Sequence, residues 1–243
     1  MVILPAMAER QADSWQALLD LYERLSEGWT LVGGQMVHLH CAERGYSPLR
    51  PTDDADMVLD IKANAEILLE FTTVLQDEMG FEADGITANG KQHRWKGTNS
   101  KASIDVLIPA NVGERLPLRK GATGSQTIQT PGGIQALHRT EVVAVTAAGR
   151  EGFVRRPNLV GALIIKAAAH EVISDPLKGR HRADFATLAA MVSASDFRDE
   201  ELSTSERKRL RAMITRTRAD RAVMGAHDDA EDGLERLERR LDR

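Results

Sequence analysis

Apolar residues at Trp15, Leu18, Leu19, Tyr22 and Leu25 recur every three or four positions. That is the period of a helix with one buried face, and it predicts a helix over residues 6–26. Residues 29–32 predict a short strand. Gly33-Gly34 breaks it, and residues 35–44 predict a helix that stops at Gly45, as a C-terminal glycine cap does. Polar and apolar residues alternate over 54–61, which predicts a second strand, and residues 63–79 return to the helical period. Three further short strands are predicted at 81–86, 92–96 and 102–108, separated by Gly and Asn.

The next 25 residues, 109–133, are rich in Gly, Thr, Pro and Gln and predict a long excursion with little regular structure, the kind of loop that often serves function. Residues 134–137 and 141–146 predict one hairpin at the sheet edge. From Pro157, a residue suited to the first turn of a helix, the pattern is helical: 158–173, 179–193, 203–224 and 228–241. The expected organisation is an α/β core of mixed sheet and flanking helices over residues 1–152, followed by an α-helical domain over 153–243.

Composition narrows the class. The chain has 243 residues, 42% hydrophobic and 28% charged, the balance of a soluble globular protein. Its longest nearly apolar run, 159–169, contains Lys166 and falls short of the ~20 residues that cross a bilayer, so no membrane partner is expected. The opening residues MVILPAMAER lack a basic segment before their apolar stretch and do not read as a secretory signal. Cys41 is the single cysteine, which fits a reducing, cytoplasmic setting. A net charge of -4 excludes a polycation that coats nucleic acid, so nucleic-acid contact would require a local patch.

The candidate chemistry lies in Arg50-Pro51-Thr52-Asp53-Asp54-Ala55-Asp56, where the second strand begins. Residues two apart on a strand share a face, so Asp54 and Asp56 present carboxylates about 6–7 Å apart along the chain. Two anions ~5 Å apart repel by about 3 kcal/mol at an effective dielectric of ~20, and a divalent cation removes that penalty. Asp105, between Ile104 and Val106 in another apolar strand, offers a third carboxylate. If the two strands are neighbours, the three acids converge on Mg²⁺, which prefers hard oxygen ligands. Upstream, Gly33-Gly34 ends a strand and opens a helix, where backbone N–H groups and the helix dipole favour phosphate and a side chain would block it. A phosphate-binding turn beside paired acids suits a nucleoside triphosphate (NTP) held by phosphate and metal together.

Gly33, Gly34, Arg50, Thr52, Asp54, Asp56 and Asp105 together resemble the nucleotidyltransferase superfamily built on the polymerase-β-like core. Within it the chain is most similar to the AbiEii-type toxins of bacterial toxin–antitoxin pairs, over roughly residues 28–190. The resemblance implies an α/β nucleotidyltransferase core with Asp54, Asp56 and Asp105 as metal ligands. It makes Lys166 and Asp184, on the first two helices of the C-terminal part, further catalytic residues, and adds Arg50, Thr52 and Arg180 to Gly33 and Gly34 as nucleotide-binding residues. It also implies transfer of a nucleoside monophosphate from an NTP to an acceptor, the tRNA 3′ end, by a toxin with a cognate antitoxin. Two other readings stand beside it: a transferase that modifies a small-molecule antibiotic in an acidic cleft, and a non-catalytic nucleotide-binding regulator.

Several residues admit plainer roles. Asp53-Asp54 would also suit a solvated strand edge, and Asp105 a surface acid near a turn. Lys166 would suit a lysine snorkelling from an apolar helix, and Asp184 an i,i+4 helix pair with Arg180. Residues 206–221 carry Arg207, Lys208, Arg209, Arg211, Arg216, Arg218 and Arg221 against Glu206 and Asp220. That patch would hold RNA phosphates, or be a solvated face neutralised by Asp228, Asp229, Glu231 and Asp232. His38 and His40 are read as structural, Cys41 as packing, and the glycine-rich residues 120–125 as a mobile substrate loop.

Overall fold

The computed structural model describes residues 1–172, 178–226 and 228–242. Ile173, the predicted end of one helix, lies outside the described residues.

A two-residue strand β1 (Val2–Ile3) leads into α1 (Glu9–Arg24). Strand β2 (Trp29–Val32) runs directly into α2 (Gly33–Arg44), which ends on Gly45 in the left-handed region. Then follow β3 (Ala55–Leu59), α3 (Ile67–Thr73) continuing as a π-helical turn Val74–Glu78, β4 (Phe81–Ala83), β5 (Arg94–Gly97) and β6 (Ser103–Pro109). These strands form a mixed sheet in the order β2-β3-β6-β5-β4. Strands β3 and β6 lie parallel, with Asp56 opposite Asp105, while β2 pairs antiparallel with β3 and β5 with β6.

The structure corrects the sequence reading between residues 109 and 157. The excursion contains β7 (Ile128–Thr130), which adds parallel to the end of β6. Residues 134–137 belong to helix α4 (Gly133–His138), entered through Gly132 at φ 80°. A short apolar run has no decisive period; here packing decides, since a Cβ on Gly132 would come 2.8 Å from the Cβ of Ala168. The hairpin is instead β8 (Thr140–Ala147) with β9 (Arg150–Pro157), joined by β1 in a separate three-stranded sheet. Within residues 120–125, Gly121 N–H donates to the Ser125 carbonyl and Ala122 N–H to Thr72 Oγ1 of α3.

Pro157 ends β9 rather than opening a helix. Asn158 caps α5 (Leu159–His170), its side chain accepting from Gly161 N–H at 2.9 Å. Helices α6 (Gly179–Ala190), α7 (Thr204–Arg218), α8 (Arg221–Gly225) and α9 (Ala230–Leu241) follow. The predicted helix over 203–224 is thus two helices, and Asp220 caps the second by accepting from Val223 N–H. The chain is a mixed α/β fold followed by a helical region. Trp15, Leu31, Met57, Ile104, Leu163, Phe185, Leu210 and Leu237 belong to one continuous buried cluster. No helix among the described residues is long and apolar enough to cross a membrane.

Candidate active site

The parallel register of β3 and β6 sets Asp56 beside Asp105, and the two-residue period adds Asp54 to the same face. Oxygens of Asp54, Asp56 and Asp105 lie within 4.8 Å of one another. This hard, anionic donor set could hold a metal ion. Burial, reinforced by the Asp54 and Asp105 carboxylates, pushes the Asp56 carboxyl up to about 7, against the opposing pull of Lys166 and Arg180. Three carboxylates with ligand oxygens this close together are a donor set that fits a divalent ion.

Asp56 also explains the glycine turn. Val32 pairs with Asp56 across β2 and β3, and the next residue, Gly33, adopts φ +69°. A Cβ on Gly34 would sit 2.4 Å from Thr52 Oγ1, and that hydroxyl donates to Asp54 Oδ1 at 3.1 Å. Both glycines are thus required by the acid-bearing segment before any ligand enters.

Residues 50–53 are irregular backbone, and side chains of α1 and α2 hold their carbonyls. His38 Nε2 donates to Arg50 O at 2.9 Å, Gln35 Nε2 to Thr52 O at 3.1 Å, and Ser14 Oγ to Asp53 O at 2.6 Å. Gln35 Oε1 in turn accepts from Trp15 Nε1 at 2.8 Å and Gln11 Nε2 at 3.0 Å. The Nε2–H of His38 leaves Nδ1 to accept from Gln11 Nε2 at 3.0 Å, so the network requires neutral imidazole. Burial lowers the His38 pKa and favours that form. Sequence reasoning missed Gln35, Gln11 and Ser14, because a helical period marks them only as polar positions near a buried face.

Asp184 is buried and accepts from Lys166 Nζ at 2.6 Å, Arg50 Nε at 2.9 Å and Arg50 Nη2 at 2.9 Å. Burial alone would raise its carboxyl; Lys166 and Arg50 reverse this and hold it at about 2. Lys166 is itself buried in this pair, which rules out the snorkelling alternative. The cluster ties the segment before β3 to α5 and α6. A cavity of about 230 Å³ joins these groups: Gly33, Gly34, Asp56, Lys166 and Arg180 all line it.

On the other side of Asp54 lies a groove of about 570 Å³, sharing Arg50, Thr52 and Asp54 with that cavity. Arg10, Arg94, Lys96 and Lys101 also line it, against Asp53 and Asp54 as its acidic residues. Lys96 pairs with Asp84 and Lys101 with Glu9 at exposed positions, and such pairs contribute about 0–1 kcal/mol each. Residues 120–125 line neither space.

Four basic residues of α7 are engaged within the fold, while Lys208 and Arg216 have no hydrogen bond or ion pair among the described residues. Arg207 and Arg211 each donate to the Leu241 carbonyl at 2.7 Å, at the end of α9. Arg209 pairs with Glu171, and Arg218 with Glu231 and Glu238. The Cys41 thiol is buried and pushed up to about 12, chiefly by desolvation.

The chain matches no protein-family model and no curated protein.

Proposed function

We propose that the chain is a Mg²⁺-dependent nucleotidyltransferase. The reading is carried by one observation: Asp54, Asp56 and Asp105 converge where β3 and β6 run parallel, and Asp54 and Asp56 share a cavity with the glycine turn that opens α2, with Lys166 and Arg180 on its wall. Bound Mg²⁺ would neutralise triphosphate charge and polarise the α-phosphate.

Asp54 and Asp56 hold the ion, and Asp105 completes the site. Backbone N–H groups at Gly33 and Gly34 bind phosphate, with the helix dipole behind them. Lys166 and Arg180 offset charge on the departing pyrophosphate, and Arg50 and Asp184 keep Lys166 in place. The acceptor hydroxyl attacks the α-phosphorus from the groove side of Asp54 and gives its proton to Asp105. The bond to the β-phosphate breaks, and pyrophosphate leaves as the acceptor gains a nucleoside monophosphate. Two spaces meeting at Asp54 suit such an in-line displacement, one for the donor and one for the acceptor.

The charge of the groove supports a polyanionic acceptor, a tRNA 3′ end, over a cationic antibiotic, which Arg10, Arg94, Lys96 and Lys101 would repel. The complete acid triad favours an enzyme over a nucleotide-binding regulator. The sequence resemblance extends the proposal to a growth-inhibiting toxin acting in the cytoplasm and paired with an antitoxin. The test is incubation of the chain with Mg²⁺, each α-labelled NTP and total tRNA. Label should enter RNA with the wild type and not with Asp56→Ala, and the variant should be harmless on expression. Equal labelling or equal toxicity would overturn the proposal.

A further inference from the structure

Arg94 is the one basic side chain that bonds directly to the acid triad among the described residues. It stands opposite Asp105 in the antiparallel pairing of β5 and β6. Its Nε donates to Asp105 Oδ1 at 2.8 Å and its Nη2 to Asp105 Oδ2 at 2.6 Å, so one guanidinium fork engages both oxygens of that carboxylate. The same Nη2 reaches Asp54 Oδ2 at 3.2 Å. No hydrogen bond reaches the Asp56 carboxylate among the described residues. The three acids are therefore not equivalent: Asp56 is open, Asp54 is shared, and Asp105 is fully engaged.

A carboxylate whose two oxygens accept charge-assisted bonds from one fork has little left for a cation, and guanidinium and metal repel at that distance. Arg94 has somewhere to go. Its side chain is 37% exposed and lines the basic groove beside Lys96 and Lys101, where an incoming anion would take it up.

We propose that Arg94 is a latch on the third carboxylate: it withholds Asp105 from the metal, so that the chain alone offers a site on Asp54 and Asp56, and Asp105 joins only when the guanidinium swings into the groove. This rests on the metal-binding reading of the triad and adds to it a positioning residue that governs when the site is complete.

The test is Mn²⁺ binding to the full chain, by calorimetry for affinity and by electron paramagnetic resonance for the ion's environment, in the absence of nucleotide. Lysine keeps the charge but cannot fork across both oxygens, so Arg94→Lys separates the latch from simple repulsion. Arg94→Lys and Arg94→Gln should both bind Mn²⁺ about tenfold more tightly than the wild type, with an altered resonance spectrum. Adding Asp105→Asn to Arg94→Gln should remove the gain. Arg94→Lys indistinguishable from the wild type would overturn the latch, whatever Arg94→Gln does. If the wild type binds Mn²⁺ and loses it in Asp56→Asn while the Arg94 variants do not differ, only the latch fails. If neither the wild type nor any variant binds Mn²⁺, the metal reading falls and the latch with it. Thermal melts of each variant establish that the comparison is between folded proteins.

Discussion

A methyl group on Gly33 would fall 1.7 Å from Oδ2 of Asp56. The glycine turn and the central acid are therefore one structural unit, joined across the β2–β3 pairing, rather than two motifs that happen to be near in space. Sequence reasoning assigned the glycine to phosphate access. In the structure it is already required by the carboxylate, and its φ of +69° is a second reason for glycine there.

Gly33→Ala should therefore disturb both fold and site. We expect a loss of about 2–3 kcal/mol from left-handed strain and displacement of Asp56, read by urea unfolding, together with loss of Mn²⁺ binding. An alanine variant with unchanged stability and metal affinity would show that Asp56 can sit elsewhere at no cost.

Asp56 should make metal-free stability fall as pH rises. Its carboxyl stands at about 7 in the folded chain against an ordinary 3.8. The folded state thus holds the proton more tightly, and this contribution is full below about pH 4 and lost as pH rises through 7. Asp56→Asn removes the dependence. At pH 8 without metal the variant should be more stable than the wild type by up to about 4 kcal/mol; at pH 4 the two should converge, and Mg²⁺ should stabilise only the wild type. Parallel melting curves across this range would contradict the assignment.

The Lys166–Asp184–Arg50 cluster has the opposite sign. Asp184 is held at about 2, so its contribution is present above its ordinary value of 3.8 and disappears as pH falls toward 2. Asp184→Ala leaves Lys166 buried without its carboxylate and should cost about 3–5 kcal/mol, with a flatter acid-unfolding profile. A variant as stable as the wild type at pH 7 would show that Lys166 finds water.

Much of this site was legible in the sequence, and the reasons are local. The spacing of Asp54 and Asp56 on a strand fixes a shared face, and Gly33-Gly34 between a strand and a helix marks a turn, so neither needs knowledge of the rest of the chain. Whether Asp105 joins them depends on β6 lying beside β3, which the sequence could pose only as a condition. The contact of Arg94 with Asp105 was invisible, since it comes from the pairing of β5 with β6 and not from any property of residues 92–96. Strand β7 is three residues long, too short for a period, and α4 is decided by its packing on α5. The internal bonds of α7 were hidden for a similar reason: composition counts charges, whereas the Leu241 carbonyl and Glu171 that engage three of them lie 30 to 38 positions away.

That difference gives a paired test for the acceptor. Replacing Arg10, Lys96 and Lys101 with Ser should weaken tRNA binding and reduce its salt slope, by about one unit for each RNA phosphate that is no longer neutralised, with NTP affinity unchanged. Replacing Arg207, Arg209 and Arg211 with Ser should leave the slope alone and lower the melting temperature, because those side chains hold α9 and Glu171. The reverse pattern in filter binding across several salt concentrations would return the acceptor to the C-terminal helices.

Nucleotidyl transfer itself is tested most directly by following both ends of the triphosphate in one reaction. With Mg²⁺ and tRNA, label at the α-position of the NTP should enter the RNA, while label at the γ-position should appear as pyrophosphate in equal amount. Neither should move with Asp54→Ala or Asp56→Ala. Label from the γ-position entering the acceptor, or phosphate released without any transfer, would mean a kinase or a hydrolase and would contradict a nucleotidyltransferase.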